Sequence, residues 1–228
     1  MTACAASRVL NDSGAERDLE MRKRRLSRRE REKQAQREAM LEAALLLFSE
    51  KGYHSASMQE IAERAEFAVG TLYKVFENKA DLYRNVVLEQ IEEFDEAFDQ
   101  AVNGLTDEVE QLKSYVRLKC EKYRDNLPFV RLLIAENGGS RLNVTAASLG
   151  AEVQKRYQDF LERLAVIFET GMANKRFKPI APAFQMAVAL DSAVNAFLLL
   201  WVEDPERHPF PEDPNVILDI FFKGLINA

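Results

Sequence analysis

One stretch limits what this chain can fold into more than any other: Ser57 to Leu82, SMQEIAERAEFAVGTLYKVFENKADL. Ser57 is a favourable N-cap, and Glu60 three residues on completes a capping box, so a helix starts there. Met58, Ile61, Ala62 and Ala65 recur at i, i+3, i+4 and i+7 and give that helix one apolar face. Glu66 to Ala68 is a turn. A second short helix follows, with Phe67, Leu72 and Phe76 as its buried contacts and Val69, Gly70, Thr71, Tyr73 and Lys74 on the other face. That face suits a duplex groove: small residues allow close approach, while hydroxyls and Lys reach bases or phosphates. Asn78 caps the next helix, with Asp81 at its third position. Lys79 falls in that helix's first turn, where its charge opposes the helix dipole. A cation so placed calls for another partner, and a DNA phosphate is the candidate.

GTLYKVFENKADL after an IAERA helix closely resembles the DNA-binding domain of the tetracycline-repressor (TetR) family of bacterial transcriptional regulators, over Arg37 to Leu82. The resemblance implies DNA-facing residues Gln59 on the first helix, Val69, Gly70, Thr71, Tyr73 and Lys74 on the second, and Lys79 beyond it. Two positions depart from the family pattern. Glu66 stands where Gly is common in the turn, and a non-Gly residue at positive φ costs on the order of 1 kcal/mol. Ala68 stands where Ser is frequent, which removes a possible cap or phosphate contact.

The net charge of −6 argues on its face against nucleic acid, but its distribution reverses that reading. Residues 21–37 carry +7 and residues 1–20 carry −2, which leaves −11 for the rest. A basic arm on an acidic body is the asymmetry of a tail that meets a polyanion. Residues 38–82 themselves carry −4, so a reading head of this kind needs compensation. Arg24, Arg25 and Arg28 are the candidates to supply it, through phosphate or minor-groove contacts.

The two cysteines, Cys4 and Cys120, make neither a disulfide framework nor a metal site, which fits a reducing cytoplasm. MTACAASRVL is too short an apolar run for a signal peptide. Ala181 to Val202, the most apolar stretch, is interrupted by Gln185, Asp191, Ser192 and Asn195, so it reads as a buried or interface helix and not as a membrane span. Two histidines outside any zinc-binding spacing, no G-x-S-x-G and no phosphate-binding Gly loop argue against an enzyme. No catalytic residue, metal or cofactor is expected.

In chain order, residues 1–27 show no periodicity and read as a disordered, partly basic arm. A first helix spans Arg29 to Lys51 and stops at Gly52. His54 lies in an exposed loop. After the two short helices, helical pattern runs from Asn78 to Val102, Asp107 to Asp125, Phe129 to Glu136, Leu142 to Ala173 (irregular near Gly150) and Ala181 to Val202. A proline-rich loop then leads to a last helix after Pro214. With no strand alternation, the fold class is all-α with about nine helices. Residues 28–82 form the helix-turn-helix domain and 83–228 a helical effector-binding and dimerisation domain.

The last two helices hold more large apolar residues than a small domain needs. In the TetR family the corresponding pair forms a four-helix bundle across a two-fold axis, which implies Ala193, Phe197, Trp201, Ile217, Phe221 and Gly224 near an interface. A dimer with heads about 34–36 Å apart, or a multiple of it, matches a palindromic operator. The middle helices would enclose an effector pocket, with Phe98, Tyr115, Tyr123 and Phe168 among its aromatic candidates. Arg131, Asp191 and Asn195 are polar residues within apolar helices, whose burial demands a partner. The family resemblance implies a hydrophobic small-molecule effector that releases a homodimeric repressor from double-stranded DNA. The alternative is a DNA-bound adaptor or architectural protein of the same fold that binds a protein partner and has no inducer.

Overall fold

A computed structural model describes residues 27–136, 150–210, 213 and 215–222. Arg24, Arg25 and Gly224 lie outside the described residues. Within them the chain is all-α: nine helices and no β-strand.

The first helix, α1 (Arg28–Lys51), starts one residue before the Arg29 expected from the sequence and opens on a capping box. The Glu30 amide donates to Ser27 Oγ at 3.3 Å and the Ser27 amide donates to the Glu30 carboxylate at 2.7 Å. Gly52 ends it at φ 80°, a left-handed conformation suited to Gly. Then come α2 (Met58–Arg64), α3 (Val69–Val75) and α4 (Lys79–Val102), with boundaries set by Ser57, Ala68 and Asn78.

The body comprises α5 (Glu108–Asp125), α6 (Leu127–Glu136), α7 (Ala151–Ala173), α8 (Ala183–Glu203) and α9 (Asn215–Phe222). The starts of α6 and α7 differ instructively from the sequence reading. Pro128 does not delay α6, because a proline in a helix's first turn forfeits no intrahelical bond. Gly150 is not an irregularity within α7 but its N-cap, at φ 100°, and residues 142–149 lie outside the described set. The α7–α8 connection folds back tightly. Lys175 adopts φ 58°, and the amides of Arg176 and Phe177 both donate to the Gly171 carbonyl, at 2.7 and 3.0 Å.

Two apolar clusters hold the molecule. The head cluster packs Met40, Leu41, Phe48, Ile61, Leu72, Phe76 and Leu82, and it continues past the helix-turn-helix into Val86, Val87, Leu132 and Val153. The body cluster joins α5, α7, α8 and α9 through Leu112, Leu164, Leu190, Val194 and Leu218. Each fully buried leucine contributes roughly 1.5–3 kcal/mol. Tyr157 touches both clusters. Among the described residues, α8 is the one helix long and apolar enough to cross a membrane. It buries a carboxylate, Asp191, completely inside the body.

Candidate functional site

The reading head is assembled by short-range hydrogen bonds. At the start of α2 the Glu60 amide donates to Ser57 Oγ at 3.2 Å and the Ser57 amide donates back to Glu60 at 3.0 Å. Lys51 adds a third contact to Glu60 at 2.5 Å, and that bond, then those from Ser57, hold the Glu60 carboxyl down at about 2. Arg64, at the other end of α2, grips Glu50 of α1 with two bonds of 2.6 and 2.7 Å. The turn closes with the Phe67 amide donating to the Ala62 carbonyl at 2.9 Å. Glu66 takes φ 59° in this turn, the strained geometry expected where glycine is absent. Ala68 caps α3 without a side-chain hydrogen bond, as its missing hydroxyl requires.

This leaves α3 with one buried side chain, Leu72, and an outward face. Tyr73 is 53% exposed, Gly70 and Lys74 are exposed, and Val69 and Thr71 are half-buried. Gln59 is exposed on α2 and bonds its neighbour Glu63. A Cβ built on Gly70 meets nothing within 4 Å. The fold therefore does not need a glycine there, although a helix-interior glycine costs roughly 0.5–1 kcal/mol relative to Ala.

Lys79 departs from the expectation of a phosphate partner. Its ammonium donates to the carbonyls of Tyr53, Ala56 and His54 at 2.8, 2.9 and 3.1 Å, and it lies 4.6 Å from the centre of the Tyr53 ring. Its three N–H donors all point at the loop after α1, so the charge that opposes the α4 dipole is balanced from within. Within the basic run, Arg37 likewise turns inward, donating to Asn85 at 2.7 Å and covering the Phe76 ring. Arg28 remains outward and pairs with Glu32. His54 is exposed, as its loop position predicts.

The second site is a cavity of about 500 Å³ enclosed by α4, α5, α6, α7 and α8. Val87, Ile91 and Phe94 line it from α4, Leu118 and Tyr123 from α5, Phe129 and Val130 from α6, Val153, Tyr157 and Phe160 from α7, and Asn195 and Leu199 from α8. Behind Tyr157 and Asn195 lies a buried polar cluster centred on Asp191. Its Oδ1 accepts from Tyr115 at 2.5 Å and from Lys119, and its Oδ2 accepts from Tyr157 at 2.6 Å and Asn195 at 3.0 Å. Tyr123 donates to Asn195 Oδ1 at 3.1 Å. Burial alone would raise the Asp191 carboxyl; the Lys119 charge and the hydrogen bonds from Lys119, Tyr115 and Tyr157 outweigh it and hold it below the usual range. Burial first, and the Asp191 charge second, push the three phenols upward.

Of the residues expected in a pocket, Tyr123 and Asn195 line the cavity. Asp191 and Tyr115 stand behind that wall, completely buried. Phe98 and Phe168 are body core, and Arg131 is exposed on the outer face of α6. Sequence reasoning missed Lys119. The signal was present: Leu112, Tyr115, Val116, Lys119 and Tyr123 follow one helical stripe, so Lys119 interrupts an apolar face.

Of the residues expected at an interface, Phe197 is 40% exposed, while Ala193, Trp201 and Phe221 are half-buried. Ile217 points the other way, 1% exposed in the body core. The register of α9 instead presents Val216 and Ile220, 48% and 63% exposed.

A sequence profile of bacterial regulatory proteins of the tetR family matches residues 40–86, the head just described. The chain is 28% identical over 156 residues to the HTH-type transcriptional activator FasR of Mycolicibacterium smegmatis, covering 68% of each chain. It is 29% identical over 193 residues to the HTH-type transcriptional repressor KstR of Mycobacterium tuberculosis, covering 83% of this chain and 80% of the other. The fold matches that of the transcriptional regulator FadR from Bacillus subtilis, solved in complex with stearoyl-CoA, at TM-score 0.68 and 19% identity over 82% of this chain and 97% of that one. Residues 40–86 therefore match the tetR family of bacterial regulatory proteins, in a chain that is similar over most of its length to helix-turn-helix transcriptional regulators.

Proposed function

We propose that the chain is a cytoplasmic repressor, a homodimer released from a palindromic operator when a small hydrophobic effector fills the cavity against α4. One observation carries this reading: α4 is a single helix that begins beside the reading head and lines the cavity from Val87 to Asp95. Twelve residues from Asn78 to Gln90 span about 18 Å at 1.5 Å per residue. A ligand that shifts the cavity segment of α4 thus moves the head at the other end. It does so only by its differential affinity for the two arrangements.

In this reading residues 28–82 are the DNA-binding unit and 83–228 the effector and dimer unit. Gln59, Val69, Gly70, Thr71, Tyr73 and Lys74 face the major groove, and Arg28 continues the basic arm along the phosphates. Lys79 holds the loop after α1 in place. The dimer forms through α8 and α9, supported by the exposure of Phe184, Phe197, Val216 and Ile220 on those two helices. Ala193, Trp201 and Phe221 border that patch.

The test is a footprint of the purified protein on DNA flanking its own gene, at several salt concentrations, with and without candidate effectors. A protected palindrome with a steep salt slope that is lost on adding an effector supports the reading. Salt-dependent binding without a discrete footprint moves the weight to an architectural or adaptor role.

A further inference from the structure

The chemistry of the cavity wall narrows what it can hold. Tyr157 and Tyr123 both line it, and each phenol has a single proton. Those protons are committed to Asp191 and Asn195 respectively. Toward a ligand the two phenols therefore offer lone pairs, which attract donors. Lys119, the one buried cation among the described residues, is balanced by Asp191 and lies near the Tyr115 and Phe160 rings, 5.8 and 5.9 Å from their centres.

The rim is acidic. Glu93, Glu121 and Asp125 border the cavity with exposed carboxylates, against Lys122 alone among the rim bases. Asp125 has Arg124 at 3.4 Å, and Asp95, which also borders the cavity, has Arg163. A carboxylate entering here finds neutral amide donors on Asn195, Gln90 and Asn126 and the third Lys119 N–H, but no uncompensated positive charge except Lys122. A phosphate-bearing head group outside the mouth meets the three rim carboxylates. A cation gains from each feature: the phenolic oxygens, the rim, and the lining rings of Phe94, Phe129 and Phe160, whose quadrupoles attract positive charge.

We infer that the cavity takes a lipophilic cation, an apolar body bearing an amine or quaternary ammonium group, and discriminates against fatty carboxylates and coenzyme A thioesters. This deepens the effector reading and rests on it. It also separates this chain from the stearoyl-CoA-bound relative of the same fold.

The experiment is calorimetric titration of the full chain with four probes sharing one chain length, each below its micelle concentration: decyltrimethylammonium, 1-decanol, decanoate and decanoyl-coenzyme A. The ammonium binds at least about tenfold more tightly than decanoate at low salt, and the preference shrinks as salt rises. In the Glu93→Gln/Glu121→Gln variant, which alters exposed positions only, the preference falls about threefold while decanol binding is unchanged. Decanoate or its thioester binding as tightly as the ammonium overturns the proposal, as does the absence of binding by every probe. Operator release is read in parallel. Ammonium preference without DNA release keeps this ligand class and removes the effector role. Release driven by the anions alone keeps the effector role and removes this ligand class.

Discussion

The Lys119 ammonium and the Asp191 carboxylate meet inside the body, from helices α5 and α8, with side chains 7% and 0% exposed. Removing one partner of a buried pair leaves a charge without compensation, which costs about 3–5 kcal/mol. Lys119→Met therefore lowers stability by that order in urea unfolding. Lys119→Met combined with Asp191→Leu recovers a large part of the loss, because no buried charge then remains. A double variant no more stable than the single one would show that the phenol bonds, not the ion pair, dominate.

The same carboxylate gives stability a pH dependence of known sign. Its folded pKa lies below the unfolded one, so its contribution is complete above the unfolded value, about 3.9. It is lost as pH falls through the folded value. Wild type thus loses stability in acid below about pH 4 by a share that Asp191→Asn does not show. Urea midpoints from pH 6 to 3 for both proteins isolate that share.

Gly70→Ala should separate folding from function. Open space around the new Cβ and the better helix propensity of Ala raise thermal stability by about 0.5–1 kcal/mol. In the proposed arrangement the added methyl faces the groove, so operator affinity falls by about tenfold. Equal affinity with raised stability would place the groove-facing side elsewhere.

Lys74 and Lys79 should respond differently to salt. Lys74→Met flattens the salt dependence of operator binding by about one unit of slope, as loss of one phosphate contact requires. Lys79→Met leaves the slope unchanged and destabilises the head by about 1–3 kcal/mol, because three loop carbonyls lose their charged donor.

At the turn between α7 and α8, a Cβ on Gly171 would stand 2.3 Å from the Phe177 ring, which is itself packed against Phe168 and Phe222. Gly171→Ala costs about 1–3 kcal/mol despite its helical propensity, since a caged ring cannot retreat. Pairing it with Phe177→Leu relieves the contact and returns part of the loss, measurable by the same unfolding assay.

The head was readable from sequence because its determinants are local. Ser57 with Glu60, Gly52 and Asn78 act within four residues of themselves. The partners of Lys79 lie 23 to 26 residues away, and nothing in the local pattern announces carbonyls there. Asp191 was recognisable as a polar residue needing partners, but Lys119 lies 72 residues from it and its role needed the pairing of α5 with α8. Ile217 and Ile220 are equally apolar in sequence, and the packing of α9 on the body decides which of them faces solvent.

The head's apolar cluster extends beyond Leu82 to Val86 and Val87, and recruits Leu132 from α6 and Val153 from α7. The portable unit is therefore larger than the motif that identifies it. A chimera grafting residues 28–82 onto another regulator's body would carry half an interior, with Phe76 and Leu82 meeting unfamiliar neighbours. On the proposed reading, exchange of operator preference between such proteins is better made by repainting the outward face of α3, where Tyr73 and Lys74 stand outside that shared packing.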